Sequence, residues 1–439
     1  MKISLCMIVK NEEADLADCL QSAAGCADEM IIVDTGSTDR TREIALQFGA
    51  RVIDYKWRDH FGEARNCALD AATGDWILIL DADERLEKDG AAKIRNAIQQ
   101  KSASSFRLEI VSDVGRASGQ KSILVRLYRR DASIRYIRRI HESVNESIVA
   151  WNRKMQQKTF DLDVTIAHFG YIPSRFEQLG KRARNLHLHE LAVADDPADA
   201  YAWYRFGDEL RAVDKKKAAE VLRHAWKLLA NMPVPARRMH LYAPEVAVIL
   251  AYLALEDGNA EAAKDILKKG DADFGRTPNG IYVEALANAK LQNWSGALAN
   301  FETLRKLDGK RFEAPVQAGI TNILACLGAA GACERLANDS ESERWLCEAI
   351  QIDPNNSQAA IALAKLYHRT GKREQARREL DLYIQRKPGD GAAWVLSGEF
   401  AMAEGAFSAA EKRFAVAASA PNAPDWVREK LSEVRKLIC

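Results

Sequence analysis

The chain has 439 residues, more than one typical domain holds, so roughly two or three domains are expected. Hydrophobic residues make up 47% of the chain and charged residues 28%, a balance that allows well-filled cores. The formal net charge of +1 excludes an overall field that would draw the protein to nucleic acid or to an anionic membrane. We therefore expect no nucleic-acid partner.

The eight cysteines and the apolar runs bear on the location of the protein. No two cysteines have the CxxC spacing, and several lie in apolar runs such as SLCMIV, so we expect reduced thiols and no zinc site. Acidic residues follow the N-terminal apolar run where a signal peptide needs small residues, and no stretch approaches the roughly twenty apolar residues of a membrane span. These features predict a cytoplasmic protein without a transmembrane segment, which leaves peripheral action at the inner membrane face open.

Residues 1–175 alternate short apolar runs with amphipathic segments. The apolar runs predict four strands, Ile3–Val9, Met30–Val33, Val52–Tyr55 and Trp76–Leu80. The segments between them predict three helices, Glu13–Ala23, Thr41–Phe48 and Phe61–Ala72. This alternation indicates an α/β domain with a Rossmann-like, mostly parallel sheet. Three later runs could add strands whose pairing is open, namely Phe106–Val111, Ile123–Tyr128 and Val164–Ala167.

Residues 176–439 have helical patterns and an internal repeat. Pro354 and Pro388 are 34 residues apart, and so are Gly371 and Gly405. This period resembles the tetratricopeptide repeat, with two clear copies and degenerate copies expected around residues 197–229, 243–269 and 281–307. Such repeats form a helical solenoid whose concave surface holds a peptide or protein. A helical lid or a dimerisation domain is the alternative, and the oligomeric state is open.

Acidic residues follow three of the predicted strands, at the edge of the sheet where ligands bind in open parallel sheets. The three segments are Lys10-Asn11-Glu12-Glu13, Asp34-Thr35-Gly36-Ser37-Thr38-Asp39 and Asp81-Ala82-Asp83-Glu84. Neither GxGxxG nor GxxxxGK[ST] occurs there, which argues against a dinucleotide oxidoreductase and excludes P-loop chemistry. Two carboxylates one residue apart suit a hard divalent cation, Mn²⁺ or Mg²⁺, bridged to a diphosphate.

The segments IVDTGSTDRT, RN and GDWILILDADE, in this order, resemble the family-2 glycosyltransferases, which have the GT-A fold. The resemblance covers roughly residues 1–170 and implies a hexosyltransferase-like enzyme with a nucleotide-sugar donor, expected to be a UDP-sugar. The last of these segments is similar to the DxD motif that binds the metal in this family. The commoner form of the family has two aspartates where this chain has Asp34-Thr35.

The resemblance implies a role for each donor-side residue. Asp83 would be the direct metal ligand, and Asp81 would face the ribose or the hydration shell of the metal. Asp34 would contact the uracil or ribose, and Arg65 would lie near the base or the diphosphate. Trp57 is a further candidate, because an aromatic ring can stack on a sugar, although it can equally be a core residue.

An inverting transfer needs a carboxylate that takes a proton from the acceptor. The segment IRRIHESVNES resembles a His-Glu element of a subset of the family that includes lipopolysaccharide-core transferases, and it predicts Glu142 as the general base. His141 is a candidate metal ligand or orienting group, with a solvated loop histidine as the alternative. His168 is a second candidate metal ligand, with a packed histidine at the domain boundary as the alternative.

A basic cluster precedes this element and can hold an anion or form a solvated surface. Its members are Arg126, Arg129, Arg130, Arg135, Arg138 and Arg139.

The combined features predict a metal-dependent, inverting glycosyltransferase. The repeats favour a protein or peptide acceptor, and this fusion resembles peptide and protein glycosyltransferases of bacteria. A lipopolysaccharide-core or other glycolipid acceptor is the alternative within the enzyme class. A tetratricopeptide adaptor without catalysis is the alternative from another class, and a nucleotidyltransferase is disfavoured because no basic or glycine-rich loop follows the first strand.

Overall fold

The computed structural model describes residues 1–112, 121–169, 175–238, 240–310, 312, 316–419 and 423–438. By packing, the chain forms two compact units, Met1–Val213 and Asp214–Cys439. Within the described residues, all strands lie in the first unit and the second unit is helical. The first unit also contains two helices beyond the boundary predicted near residue 175, and that boundary stays a prediction.

The first unit is built on a mixed sheet, which has eight strands in the described ranges. In chain order they are β1 (Ile3–Val9), β2 (Glu29–Asp34), β3 (Arg51–Asp54), β4 (Trp76–Ile79), β5 (Glu84–Leu86), β6 (Ala103–Ser112), β7 (Lys121–Arg129) and β8 (Lys158–His168). Their order in the sheet is β3-β2-β1-β4-β7-β6-β8-β5.

One half of this sheet is parallel and the other half is mixed. Strands β3, β2, β1 and β4 run parallel to one another. Beyond β4, β7 is antiparallel to both β4 and β6, β8 is parallel to β6, and β5 is antiparallel to β8. The predicted α/β fold is therefore confirmed, and the three later apolar runs are parts of β6, β7 and β8.

Helices cover both faces of the parallel half. In the first unit the helices are α1 (Leu16–Ala23), α2 (Thr41–Gln47), α3 (Phe61–Ala71), α4 (Gly90–Ala97), α5 (Asn145–Met155), α6 (Arg175–Asp195) and α7 (Ala200–Leu210). Leu5 of β1 packs on the face that Leu16 of α1 covers, and Cys6 packs on the opposite face with Ala68 of α3. Because both faces are buried there, strands β1, β2 and β4 contain continuous apolar runs, which made them visible in the sequence.

The second unit consists mainly of antiparallel helix pairs. Its helices are α8 (Lys215–Ala230), α9 (Val234–Arg238), α10 (Ala243–Glu256), α11 (Ala260–Phe274), α12 (Pro278–Lys290), α13 (Trp294–Arg305), α14 (Ile323–Arg335), α15 (Asp339–Ile352), α16 (Ser357–Arg369), α17 (Arg373–Arg386), α18 (Gly391–Ala403), α19 (Phe407–Ala418) and α20 (Asp425–Ile438). The pairs are α10–α11, α12–α13, α14–α15, α16–α17 and α18–α19.

The turn of each pair contains one residue in the left-handed conformation. These residues are Gly258, Gln292, Ala337, Gly371 and Gly405, with φ between 56° and 84°. The last three are 34 residues apart, so α14–α15 has the same period as the two repeats found in the sequence. The sequence pattern misses α14–α15 because an alanine stands where the next two copies have glycine.

The seven cysteines of the described residues are free thiols, and Cys439 lies outside those residues. Burial raises the pKa of the Cys6 thiol to about 12, with the charge of Glu29 adding to the shift, so this thiol is protonated at neutral pH. None of the helices in the described ranges has the length and apolar character needed to cross a membrane.

Candidate functional site

The carboxyl ends of β1, β2 and β4 meet at one edge of the sheet, because the three strands are parallel neighbours. Asp34 ends β2 and is only 2% exposed. Its Oδ1 accepts hydrogen bonds from the backbone N–H of Ser37 at 3.0 Å and from the Ser37 hydroxyl at 2.6 Å. Arg42 approaches Oδ2 at 3.4 Å. The turn after β2 therefore fixes the Asp34 carboxylate.

Two other carboxylates at this edge differ in their surroundings. Asp39 accepts a hydrogen bond from the backbone N–H of Thr41 at 3.0 Å, so it stabilises the start of α2. Glu12 lies directly after β1, and its pKa is raised to about 7 by burial and by the negative charge of Asp83. Glu12 therefore belongs to the acidic surroundings of Asp81-Ala82-Asp83, the DxD triplet. Its position in the sequence alone did not establish this.

The two aspartates of the triplet have different partners. Oδ1 of Asp81 accepts a hydrogen bond from Arg65 at 2.9 Å, and Oδ2 lies 3.4 Å from Nη2 of Arg126. Burial would raise the pKa of Asp81, but the two guanidinium groups hold it well below its usual range. The carboxylate of Asp83 instead lies beside His168, with 3.2 Å between Oδ2 and Nε2. The charge of Asp81 is thus compensated within the protein.

A short strand brings His168 to Asp83 across 85 residues of sequence. In the antiparallel pair β5–β8, Glu84 lies opposite His168, and the N–H of Phe169 donates to the Asp83 carbonyl at 2.9 Å. The hydrogen bond to Asp83 raises the pKa of His168 above its ordinary value. Both side chains are reachable from solvent, at 29% and 27% exposure.

The Asp83–His168 pair has the donor atoms of a small metal site. Within the described ranges, no group of three or more His, Cys, Asp or Glu side chains is arranged to hold a metal ion. Mg²⁺ commonly uses only one or two carboxylates and takes its other ligands from phosphates and water. A carboxylate and an imidazole that remain accessible therefore fit a cation that arrives with a diphosphate.

Arg65 of α3 joins the triplet to the predicted base. Its Nε donates to Oε1 of Glu142 at 2.6 Å, while its Nη2 holds Asp81. The Arg65 and Glu142 side chains are 12% and 14% exposed, so solvent and salt weaken the attraction between them much less than in a surface ion pair. The structure thus brings Arg65, Asp81 and Glu142 into one network, although 77 residues separate Arg65 from Glu142.

Arg126 and Glu84 complete this network, although the sequence patterns offer them only as a member of the basic cluster and as the end of an acidic segment. Phe106 pairs with Leu127 but Arg107 pairs with Val125, so Arg126 is the extra residue of a β-bulge in β7. Its Nη2 donates to Glu84 at 2.5 Å. Burial raises the pKa of Glu84 to about 7, although Arg126 opposes this shift. The sequence signal for Glu84 was its position directly after the triplet.

His141 and Trp57 contact other residues. The His141 ring lies 5.3 Å from that of His189 on α6, and burial lowers the His141 pKa to about 3, so the imidazole is neutral at neutral pH. Trp57 precedes α3, donates its indole N–H to Asp59 at 2.8 Å and packs edge-on against Phe61 at 4.8 Å. Their predicted roles, metal ligand and donor contact, stay predictions.

The arginines of the basic cluster are held by protein oxygens. Arg129 and Arg130 donate to the carbonyls of Ala103 and Gly74, each at 2.8 Å. The other members pair with carboxylates, namely Arg126 with Glu84, Arg135 with Asp70, Arg138 with Asp199 and Arg139 with Asp195. The cluster therefore cross-links the first unit, and its role as an anion site stays a prediction.

Two family models match separate parts of this chain. Residues 4–140 match the model of glycosyl transferase family 2, and residues 343–395 match that of the tetratricopeptide repeat. The chain thus has a family 2 glycosyltransferase domain in its N-terminal part and tetratricopeptide repeats in its C-terminal part. The resemblance seen in the sequence is confirmed, and the matched range ends two residues before Glu142.

Individual relatives are named for one or the other of these two parts. A TPR repeat-containing protein of Synechococcus elongatus is 37% identical over 271 residues, which are 60% of this chain and 64% of that protein. The SPbeta prophage-derived glycosyltransferase SunS of Bacillus subtilis is 29% identical over 256 residues, 58% of each chain. The chain thus spans less than two thirds of the length of either relative. A solved tetratricopeptide repeat protein from Parabacteroides merdae has 20% identity and a TM-score of 0.41, covering 60% of this chain and 95% of that one.

Proposed function

We propose that this chain is a metal-dependent glycosyltransferase that moves a sugar from a nucleotide-sugar, expected to be a UDP-sugar, to an acceptor. One observation carries the proposal: the triplet has one aspartate compensated by two arginines and one aspartate that lies beside a histidine. A purely structural acidic turn has no need of this division. It suits a site in which Asp83 receives a cation while Asp81 keeps a fixed place.

On the donor side, Asp83 and His168 would hold Mn²⁺ or Mg²⁺, and a bound cation would neutralise the charge that develops on the departing diphosphate. Asp34, fixed by the turn after β2, is suited to accept hydrogen bonds from the base or ribose. We propose Asp81 as a ribose or hydration-shell contact and Trp57 as a contact to the sugar.

On the acceptor side, Glu142 would act as the general base. Arg65 fixes Oε1, and Oε2 accepts no hydrogen bond from the described residues, so Oε2 can take the proton of the acceptor. The acceptor atom then forms a bond to the anomeric carbon while the bond from this carbon to the diphosphate oxygen breaks. Attack from the face opposite the diphosphate inverts the configuration.

For the acceptor we propose a protein or peptide that binds to the second unit, Asp214–Cys439, which we call the helical unit. Stacked helix pairs of this kind form extended surfaces for such ligands. A glycolipid acceptor is the second candidate, and it needs no contribution from the helical unit. The complete Arg65 network speaks against a non-catalytic adaptor, because an adaptor has no use for a largely buried base beside the DxD triplet. The cytoplasmic location stays a prediction.

Calorimetry with UDP and Mn²⁺ tests the donor site. The wild-type chain should bind UDP in a metal-dependent manner, and Asp83→Asn should weaken this binding at least about tenfold, the loss of one charged ligand. Asp89→Asn is the matched control, because Asp89 is 67% exposed and its ion pair lies on the surface. Absence of metal-dependent UDP binding in the wild type would refute the proposal.

A further inference from the structure

Glu142 lies on a short loop, residues 137–143, which we call the base loop. Ile137 and Ser143 close it with two backbone hydrogen bonds, of 3.0 and 3.2 Å. Between them, Arg138 and His141 have positive φ angles of 74° and 52°. Such a conformation is unfavourable for a residue with a Cβ and persists only where the surroundings impose it. The neighbours of the base loop must therefore hold it.

Helices α6 and α7 hold the base loop through two arginine–aspartate pairs. Nε of Arg138 donates to Asp199, which precedes α7, at 2.7 Å. The same guanidinium lies 4.9 Å from the ring centroid of Tyr201 on α7. Arg139 pairs with Asp195, the last residue of α6. Two successive residues of the base loop are thus tied to Asp195 at the end of α6 and to Asp199 before α7.

A third contact is a stack of uncharged rings. His189 of α6 lies between His141 of the base loop, at 5.3 Å, and Phe206 of α7, at 6.1 Å. His189 is 1% exposed, and burial lowers its pKa to about 4, with the charge of Arg205 adding to the shift. The stack is therefore neutral at neutral pH and packs like an apolar core.

We propose that His189 is a positioning residue for the reaction: through His141 it keeps the base loop in the shape that holds Glu142 against Arg65. The inference rests on the proposed function for the role of Glu142. His189 reaches Glu142 only through the loop, whereas Asp83 and His168 are positioned by strands β4, β5 and β8. Loss of His189 should therefore slow transfer and leave donor binding intact, since small misplacements of a catalytic group cost large factors in rate.

The test compares three variants in the full chain. His189→Ala should lower kcat for transfer at least about tenfold, while the donor KM and the affinity for UDP with Mn²⁺ stay within about twofold of wild type. His189→Phe keeps a ring between His141 and Phe206 and should restore most of kcat. His187→Ala removes an exposed histidine of the same helix and should have no effect.

Hydrogen exchange gives a readout that needs no acceptor. In His189→Ala the amides of Ile137 and Ser143 should exchange faster, because their hydrogen bonds close the base loop. Unchanged kcat and unchanged exchange would overturn the inference, and so would an equal loss of kcat and donor affinity. If His189→Ala does not fold, Asp195→Asn should give the same pattern more weakly, and its absence would overturn the inference as well. If wild type turns over no donor, the proposed function fails, while the exchange rates still decide whether α6 holds the base loop.

Discussion

The turn between α14 and α15 contains an unfavourable backbone conformation that one substitution removes. Ala337 has a φ of 56°, where the next two hairpins have Gly371 and Gly405 at 79° and 74°. The N–H of Asn338 donates to the carbonyl of Cys333 at 2.9 Å, which with the left-handed residue forms a Schellman motif. The hydrogen-bond pattern demands the left-handed conformation whatever side chain is present.

Two opposing terms set the size of the effect. The left-handed conformation costs an alanine about 1–2 kcal/mol, and the greater freedom of glycine in the unfolded chain costs about 0.5–1 kcal/mol. Ala337→Gly should therefore raise the free energy of unfolding by about 0.5–1 kcal/mol. Gly371→Ala is the matched control, because an added Cβ would meet no atom within 4 Å and only the backbone conformation changes. Gly371→Ala should lower the free energy of unfolding by a similar amount.

Urea unfolding followed by helical circular dichroism measures both variants. The midpoint of the helical unit should rise in Ala337→Gly and fall in Gly371→Ala, with the slope unchanged. A lower midpoint in Ala337→Gly would refute the left-handed turn at residue 337, and with it the assignment of α14–α15 to the repeat series.

Three further predictions concern the first unit. Arg65→Met leaves Asp81 and Glu142 without their shared guanidinium and should lower the free energy of unfolding by about 3 kcal/mol at neutral pH. Without that guanidinium, burial raises the pKa of Asp81, so the loss in free energy of unfolding should become smaller as the pH falls toward about 4.5. Denaturant melts that show an equal loss at neutral pH and at about pH 4.5 would contradict this. Glu142→Gln should keep metal-dependent UDP binding and lower transfer at least about a hundredfold, and unchanged transfer would show that the base lies elsewhere. The pKa of His189 is about 4 in the folded chain, so this histidine takes up its proton more readily in the unfolded chain. As the pH falls from about 6.5, the free energy of unfolding of wild type should therefore decrease by up to about 1.4 kcal/mol per pH unit relative to that of His189→Phe. Parallel stability profiles of the two chains would contradict this.

The parallel half of the sheet was predictable because its signals are local. A strand buried on both faces is a continuous apolar run, so β1 was predicted with its observed bounds and the other three parallel strands within about two residues. The shared edge of Asp34 and Asp81 follows from the same reasoning, since parallel neighbours end together.

The remaining contacts depend on register and on long-range packing. Arg126 enters the site because β7 has a bulge at this residue, and a bulge is set by the pairing with β6. Strand β5 has three residues, too few to leave a pattern, yet it brings His168 to Asp83. The contact between Glu142 and Arg65 requires the base loop, whose shape depends on contacts with residues 56 and 61 positions later in the chain.

The most direct test of the proposed function is turnover of a donor. The chain is incubated with a panel of nucleotide sugars, with Mn²⁺ or with a chelator, and released nucleotide is measured by mass spectrometry. We expect release from at least one donor, loss of release in Asp83→Asn and with the chelator, and unchanged release in Asp89→Asn. No release from any donor in a broad panel, or equal release by Asp83→Asn, would contradict the assignment of Asp81-Ala82-Asp83 as the metal and donor site.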